Sequence, residues 1–473
     1  MYCNLVSHHV SREHRYSRRR LLGATGASTA AALAGCLGGS GNDDGIHFYT
    51  DYSTETWQNR WEDDLIPAFE DETDHTVNPE YAGFQGDSEE RLMNLIQAND
   101  PPDIHVETFY TAADIWAQGM LQPMTDTLEA VEDVNGDINV ETFEDEEGVV
   151  SQGDTFHVSH GGYTNVLVYR EDIYDALGLD VPETWDELVD NAETIDDSDE
   201  FDTARGFATP AGVVGQSREL FWMFLYQNGV DTHRTADGDV EVWVPEDEAI
   251  EALDYLTELA QYSPDPSGLN WGTSLEQWVQ GRVGQMYHVN GWAAGVAAAE
   301  GIDHIAENTA VAPLPRNDIP LEESYMTLPT GNGYMVFEGG NNPAGAVEFI
   351  EWLYADSIER TASLFEQEPM RLLPAYDDVV ASDAYANLEY FQAWPEHLEL
   401  NRQIQEEIVP MYGQNTEESP TTGAEQYGLS GYHYADMMNQ IIVGDAAIED
   451  ALATAKGQAE ERLAEGKELT GGW

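Results

Sequence analysis

The sequence predicts an α/β protein with more than one lobe, and three observations support this prediction. The chain has 473 residues, which is more than a single hydrophobic core usually holds. Short apolar runs typical of strands alternate with runs whose apolar residues recur every three or four positions, as in amphipathic helices. The pair Gly161-Gly162 lies between two extended runs in FHVSHGGYTNVLVYR and suits a crossing of the chain between lobes. This rhythm is typical of an open α/β sheet.

The first part of the fold is expected to begin at Ile46, where IHFY is predicted as a strand. A helix capped by Ser53 or Thr54 is predicted through DLIPAFEDETD. TVNPEYAG is a second extended run, RLMNLIQAN a helix that stops at Pro101, and PPDIHVET a third strand. A helix over TAADIWAQG then ends at Gly119.

Beyond the crossing, helices and strands continue to alternate. Helices are predicted over PETWDELVDNAETI with a Thr184 cap, over SRELFWMFLYQNG as an amphipathic helix, and over DEAIEALDYLTELAQY. GQMYHVNGW and NGYMVFEGG are predicted as strands, and AGAVEFIEWLYA and residues 446–464 as helices. The sequence contains no internal repeat.

The N-terminal region has the features of an exported lipoprotein. Residues 17–22, SRRRLL, resemble a twin-arginine export signal, and residues 21–35 are too short to span a bilayer. LAGC at residues 33–36 resembles a lipobox, the pattern that is cleaved before a lipid-modified cysteine. We therefore expect a signal peptide over 1–35, lipidation at Cys36 and a flexible tether over 36–45. The alternative is an ordinary basic tail with a chance cysteine.

The charge of the chain indicates a saline environment. The formal net charge is −71, and Lys456 and Lys467 are the only lysines. Self-repulsion of this size favours unfolding at low ionic strength, whereas at molar salt the Debye length falls to ~3 Å and the repulsion is screened. The sequence therefore predicts halophilic adaptation. It also argues against nucleic acid as a partner, because no basic patch is present to neutralise phosphates.

Six fragments then carry a resemblance to a known family. In chain order they are PPDIHVET, AQGMLQPM, YTNVLVYREDIYDALGLDVPETWDELV, WVQGRVGQMYHVNGW, VAPLPRND and GNGYMVFEGGNNPAGAVEFIEWLY. Together they resemble the family 1 extracellular solute-binding proteins of ABC importers over nearly all of residues 46–465. The resemblance implies a two-lobed, periplasmic-binding-protein-like fold of type II with a hinge between the lobes.

The resemblance also implies a domain plan and a function. Lobe one is expected over 46–160 and 313–365, and lobe two over 164–311 and 373–465, with crossings near 161–164, 312–315 and 365–373. The implied protein is a monomeric substrate-binding lipoprotein at the extracellular face of the cytoplasmic membrane. It captures a sugar or oligosaccharide in the interlobe cleft and delivers it to a membrane permease, without a cofactor or metal.

Candidate solute contacts follow from the chemistry of sugars and from the positions of strand ends. Aromatic rings cover the C–H faces of a sugar, and carboxylates and amides bind its hydroxyls. Ligands of open α/β sheets lie beyond the carboxyl ends of strands. In the first lobe this rule selects Tyr49, Asp51, Tyr52, Gln85, Glu107 and Thr108. Glu107 is the most notable of these, because a glutamate directly after the apolar run IHV does not fit a core position.

The remaining candidates come from the crossings and the second lobe. Trp292 is the first choice, since Asn290-Gly291-Trp292 follows a strand and the family often places a sugar-stacking tryptophan at this motif position. The alternative role for Trp292 is that of a core residue. Tyr163 and Asn332 are also candidates. Tyr163 could instead only fill the hinge, and Asn332 could instead only form a turn. The other candidates are Trp222, Tyr432 and His433. Trp222 neighbours Phe221 on the amphipathic helix, and one of these two is expected to belong to the core. Tyr432 and His433 match an aromatic cluster of the family.

Two other classes of function stay open at this stage. An exported carbohydrate-active hydrolase would need two carboxylates at a set separation, and 90 acidic residues leave such a pair possible without a motif that singles one out. A ligand-binding subunit of a sensory system would use the same fold. The sequence does not identify the sugar or polyol.

Overall fold

The computed structural model describes residues 45–82, 87–138, 150–151, 154–163, 165–201, 203–236, 239–317, 330–368, 370–397, 399, 428 and 431–470. The predicted signal peptide, Cys36, the tether up to residue 44 and Gln85 lie outside these residues. Among the described residues, no helix is long and apolar enough to cross a membrane.

The strands belong to two principal sheets and two hairpins. The first sheet has the order β13-β6-β12-β3-β1-β2, and the second has the order β10-β7-β11. The hairpins are β4-β5 and β8-β9. The strands are β1 Ile46–Thr50, β2 Val77–Tyr81, β3 Ile104–Thr108, β4 Val150–Ser151, β5 Asp154–Thr155, β6 Val158–Tyr163, β7 Asn165–Arg170, β8 His233–Ala236, β9 Asp239–Val242, β10 Gln285–Val289, β11 Thr309–Ala312, β12 Thr330–Val336 and β13 Leu373–Pro374.

Helices follow most strands, as the alternation in the sequence predicts. They are α1 Glu55–Asn59, α2 Ile66–Glu72, α3 Asp87–Gln97, α4 Phe109–Ala117, α5 Thr125–Asn135, α6 Glu171–Leu177, α7 Trp185–Asp196, α8 Gly215–Gln227, α9 Glu246–Gln261, α10 Trp271–Val279, α11 Trp292–Ala299, α12 Asp303–Ala306, α13 Pro343–Tyr354, α14 Ile358–Ser363, α15 Asp377–Ala381, α16 Asp383–Ala386, α17 Glu389–Ala393, α18 His433–Ile442 and α19 Ile448–Thr470. A π-helical segment, Arg60–Leu65, joins α1 to α2.

The predicted helix starts and stops are confirmed at several residues. Thr184 caps α7 in a capping box, in which its hydroxyl accepts from the Glu187 amide and the Glu187 carboxylate accepts from the Thr184 amide. Gly119 adopts φ +71°, a left-handed conformation that glycine reaches without steric cost. Thr54 is at the N-cap of α1, but its side chain makes no capping hydrogen bond.

Helix α8 differs from its prediction as an amphipathic helix. All of its residues from Gln216 to Gln227 are buried. Helices α9 and α18 both pack against it, so no face is left for solvent. The sequence SRELFWMFLYQNG is therefore a core helix in which the polar residues Arg218 and Glu219 are also enclosed.

The chain passes from the first sheet to the second within two residues. Strand β6 ends at Tyr163 in the first sheet, and β7 begins at Asn165 in the second. The return lies after Arg316, which still pairs with Thr184 of the second part, and before β12, which pairs with β3 and β6.

The first sheet also extends beyond the boundary expected at residue 365. Strand β13 pairs with Gly161 and Gly162 of β6, and helices α14 and α15 pack against α5. Residues 373–381, which the domain plan assigns to the second lobe, therefore pack with the first sheet. This part of the domain plan is wrong because β13 pairs with the first sheet. A strand of two residues, within LLP, is too short to give a recognisable sequence pattern.

Candidate functional site

One edge of the first sheet gathers several of the predicted solute contacts. Strands β1 and β3 are parallel, so Asp51 and Tyr52 follow β1 at the same edge at which Glu107 lies near the end of β3. Strand β12 is antiparallel to β3 and starts there, with Asn332 opposite Thr108. Strand β6 also ends at this edge with Tyr163.

An edge of the second sheet adjoins this one through the crossing. Strand β7 starts at Asn165, directly opposite Val289 at the end of β10. The tripeptide Asn290-Gly291-Trp292 therefore follows next to the point at which the chain leaves Tyr163. Asn290 adopts φ +43°, an uncommon conformation that asparagine tolerates better than most residues. The two sheet edges thus meet at the Tyr163–Asn165 crossing.

Arg371 joins the two edges. Its guanidinium carbon lies 4.5 Å from the centre of the Tyr52 ring and 5.4 Å from the centre of the Trp292 ring, both within cation–π range. It donates to Asp51 Oδ2 at 2.7 Å and to Glu368 Oε2 at 2.7 Å. We call Asp51, Arg371 and Glu368 the buried triad. Asn290 Nδ2 donates to the Arg371 carbonyl at 3.3 Å, which adds a contact from the second sheet.

The charge of Arg371 is maintained by the two carboxylates. Burial alone lowers the pKa of a guanidinium, but Asp51 and Glu368 together raise the pKa of Arg371 above its ordinary value. Burial raises the pKa of Tyr52 well above its usual range, so its phenol stays protonated. The site therefore holds a permanent cation, two carboxylates and a neutral phenol.

Buried polar atoms without a partner lie close to the rings. Tyr52 is 2% exposed, and its hydroxyl makes no hydrogen bond with any described residue. The His288 ring lies 5.8 Å from Trp292, and its Nδ1 likewise has no partner among the described residues, while its Nε2 lies 3.2 Å from the Trp271 carbonyl. A buried polar group without a partner costs about 1–3 kcal/mol, so these atoms favour a polar ligand or ordered water at this place.

Histidines around the site are neutral. Burial lowers the pKa of His288 to about 4, and burial followed by the charge of Arg371 lowers the pKa of His160 to about 3. His160 packs edge-on to Tyr52 and accepts or donates at Nδ1 with the Tyr354 hydroxyl at 2.6 Å. At neutral pH these two histidines therefore form hydrogen bonds as uncharged imidazoles.

Tyr163 connects the crossing to helix α8. Its hydroxyl donates to Glu219 Oε2 at 3.1 Å, and its ring lies 6.1 Å from Trp271. Both Tyr163 and Glu219 are buried. The tyrosine is thus placed between the two sheets, where it contacts the second part of the protein through its phenol.

Three predicted contacts lie in a separate group around Arg218. The guanidinium of Arg218 lies 4.9 Å from the centre of the Trp222 ring and 5.2 Å from that of the Tyr432 ring. Trp222 is fully buried in α8, and Phe221 is buried as well. His433 begins α18, and burial, followed by the charge of Arg218, lowers its pKa to about 3.

Tyr49 is placed away from the strand-end group. It is fully buried, its hydroxyl donates to the Ser88 carbonyl at 2.9 Å, and its ring stacks on His105 at 4.9 Å. Side chains alternate along a strand, so Tyr49 and its neighbour Phe48 lie on opposite faces of the sheet. These contacts suit a packing role.

Five residues that contact the predicted solute-binding residues or one another were not selected from the sequence. They are Glu219, Trp271, His288, Glu368 and Arg371. The contact of Arg371 with Asp51 spans 320 residues of chain, a separation over which local patterns carry no signal.

Two further features lie apart from the site. A hollow of about 450 Å³ is lined by α9, the end of α18 and the turn between α18 and α19, and none of the residues described above lines it. Within the described ranges, no three His, Cys, Asp or Glu side chains come together in a way that could hold a metal ion.

The fold and the meeting of two sheet edges define a two-lobed binding protein of mixed α/β structure. A family model described as bacterial extracellular solute-binding protein matches residues 50–359. The chain therefore belongs to this family of extracellular solute-binding proteins.

Solved structures share the fold over most of the chain. A solute-binding protein of an ABC transporter from Thermotoga lettingae, bound with α-D-tagatose, has a TM-score of 0.67 at 19% identity and covers 89% of this chain and 100% of its own. The GacH receptor of Streptomyces glaucescens, solved unliganded and with acarbose, has a TM-score of 0.68 at 19% identity over 89% of this chain and 99% of its own. Maltose-bound MalE3 of T. maritima has a TM-score of 0.69 at 15% identity over 88% and 99%.

A curated relative is similar over a shorter part. An uncharacterised solute-binding protein of Halobacterium salinarum is 46% identical over 90 residues. This match covers 19% of the present chain and 26% of the relative, so it spans about a quarter of the relative's length.

Proposed function

We propose that this protein is the substrate-binding lipoprotein of an ABC importer and that it captures a sugar or oligosaccharide between its lobes. In this proposal Cys36 carries the lipid anchor, the protein acts as a monomer at the extracellular face of the cytoplasmic membrane, and it delivers the solute to a membrane permease. The protein binds its solute without transforming it.

The observation that carries the proposal is the placement of Tyr52 and Trp292. Tyr52 follows strand β1 of the first sheet, Trp292 follows strand β10 of the second, and both rings contact Arg371 at the point where the sheet edges meet. A solute that touches groups of both lobes binds the closed state better than the open state, and this difference is what drives closure of a hinge-type protein. The lobes themselves follow the domain plan given above, except that the return to the first lobe lies after Arg316 and the first lobe is extended by β13.

The chemistry of the group suits a polyhydroxylated solute. Aromatic faces of Tyr52 and Trp292 match the C–H faces of sugar rings, while the Asp51 carboxylate, the Tyr52 hydroxyl and His288 Nδ1 are groups that hydrogen-bond hydroxyls. The ligands of the related structures, tagatose, acarbose and maltose, are carbohydrates or resemble them, which supports the same class here.

The test is a ligand screen with the purified mature protein in molar KCl. Mono- and oligosaccharides and polyols are compared by thermal shift, and each hit is measured by calorimetry. We expect at least one to raise the melting midpoint, and binding without product formation on prolonged incubation. Small-angle scattering with and without that solute should show a smaller radius of gyration when it is bound. A screen without a hit would contradict the proposed class, and sugar cleavage would favour the hydrolase.

A further inference from the structure

The solute site contains a charged group whose role is not explained by sugar stacking. The buried triad places the Arg371 guanidinium on the faces of Tyr52 and Trp292, the two rings proposed to meet the solute. The triad side chains of Asp51, Glu368 and Arg371 are 17%, 10% and 7% exposed. The charge at this position therefore acts largely outside bulk water.

The formal charge of the triad is negative. Arg371 supplies one positive charge, and Asp51 and Glu368 each supply one negative charge, with N–O distances of 2.7 Å in both ion pairs. The guanidinium donates from Nη1 to Glu368 and from Nη2 to Asp51, so each carboxylate accepts one charge-assisted hydrogen bond from the same cation. An arginine in a binding site ordinarily attracts anions, but here its charge is already exceeded by that of its partners.

We propose that the buried triad makes the solute site selective for uncharged sugars and excludes sugar acids. This inference rests on the proposed function and narrows its solute class. A solute carboxylate about 6 Å from a net charge of −1, at an effective dielectric constant of about 20, binds about 100-fold more weakly than a neutral analogue. Molar salt reduces this effect little, because buried charges are screened much less than exposed ones.

Salt also separates the triad from the charge of the whole surface. The chain carries a formal charge of −71, which repels any anion at low ionic strength. At molar salt the Debye length is ~3 Å, so the surface contribution disappears while the contribution of the triad persists. Selectivity that survives in molar KCl is therefore a property of the site.

The experiment compares neutral sugars with their acids: glucose with glucuronate, galactose with galacturonate, and maltose with maltobionate. Affinities are measured by calorimetry in molar KCl for the native protein, Asp51→Asn, Glu368→Gln and the double variant. Both substitutions keep a side-chain oxygen that accepts from Arg371 and remove one negative charge. Asp254→Asn is the matched control, because it makes the same charge change on the exposed face of α9. Melting curves establish that each variant is folded.

The readout is the ratio of affinities for the acid and the neutral sugar. We expect the native protein and Asp254→Asn to bind the neutral member at least 100-fold more tightly. Each triad substitution should raise the acid-to-neutral ratio about 10- to 100-fold, and the double variant should raise it further.

The outcomes separate this inference from the proposed function. A native protein that binds a sugar acid as tightly as its neutral partner overturns the selectivity but leaves sugar binding intact. Folded triad variants with an unchanged ratio also overturn it, since the rejection would then have another origin. If no sugar of either kind binds the native protein, both proposals are wrong. If Asp51→Asn does not fold, the affinity ratio of Glu368→Gln tests the proposed selectivity.

Discussion

Removal of the Trp292 ring should weaken solute binding and also destabilise the protein. The ring is 6% exposed and packs against Arg371 and His288. A tryptophan buries up to about 250 Å², and at ~25 cal/mol per Å² this gives an upper bound of about 6 kcal/mol for its burial. Measured Trp→Ala truncations cost about 3–5 kcal/mol of the free energy of unfolding, and that is the loss expected for Trp292→Ala.

The loss of affinity should be separate from this loss of stability. Stacking aromatics at the centre of a binding site contribute about 2–4 kcal/mol on truncation, which corresponds to about 30- to 1000-fold weaker binding. Trp278 is the matched control, because it is fully buried in α10 of the same lobe, and its Nε1 donates to Thr309 Oγ1 at 3.0 Å. Trp278→Ala should be destabilised by a similar amount and should keep its affinity.

The assay combines calorimetry with urea unfolding of both variants in molar KCl, using the best sugar from the screen. Binding is measured well below the unfolding transition of the weaker variant, and Trp278→Phe replaces Trp278→Ala if the latter does not fold. Equal affinities of the two variants would refute the placement of Trp292 in the solute site. The tryptophan would then be a core residue that closes the end of the second sheet.

Three further predictions concern the environment, the anchor and pH. Transfer from molar to millimolar salt should unfold the protein, since 19 Lys and Arg residues offset only a small part of the charge of 90 acidic residues. An unchanged circular dichroism spectrum would contradict the halophilic interpretation. Cys36→Ala should be recovered in the soluble fraction after cell lysis, and tight fractionation with membranes would place the anchor elsewhere. Because burial lowers the pKa of His288 to about 4, the unfolded chain binds a proton below about pH 6.5 that the native site does not take up until pH 4. His288 alone should therefore lower the free energy of unfolding by up to about 3 kcal/mol from pH 6.5 to 4. His160 and His433 have lowered pKa values as well and add to this fall, so His288→Gln should reduce the slope in urea titrations without abolishing it. The same slope in both proteins would exclude the histidine.

Local patterns predict most of the fold. The strand IHFY, the helix capped by Thr184 and the helix AGAVEFIEWLYA are all present, because each depends on neighbouring residues and a simple period. The π-helical segment Arg60–Leu65 was not predicted, and helix α8 was predicted as an amphipathic helix, not as a fully buried one. The spacing of apolar residues could not predict either feature, because it changes neither with a local change of helix pitch nor with burial by helices that are distant in the sequence.

The site was harder to predict than the fold. Strand ends led to Asp51 and Tyr52, and a motif of the family led to Trp292. The same strand-end rule also selected Tyr49, because it does not tell that this side chain is enclosed by Ser88 of α3 and His105 of β3. Arg371 could not be found, since its partners Asp51 and Glu368 lie 320 and 3 residues away and only tertiary structure brings all three together.

The direct passage from β6 to β7 has a mechanical consequence. With one residue between Tyr163 and Asn165, the two sheets are tethered at this point by less than two backbone steps of ~3.8 Å each, so they cannot separate there. Any relative motion of the lobes must then be a rotation about this crossing, and the displacement of each atom grows with its distance from the crossing. Residues beside the crossing, such as Tyr163 and Asn290, are displaced least, and the outer ends of the lobes are displaced most. In the closure proposed above, a small rotation at the crossing therefore produces a large movement of the surfaces most distant from it.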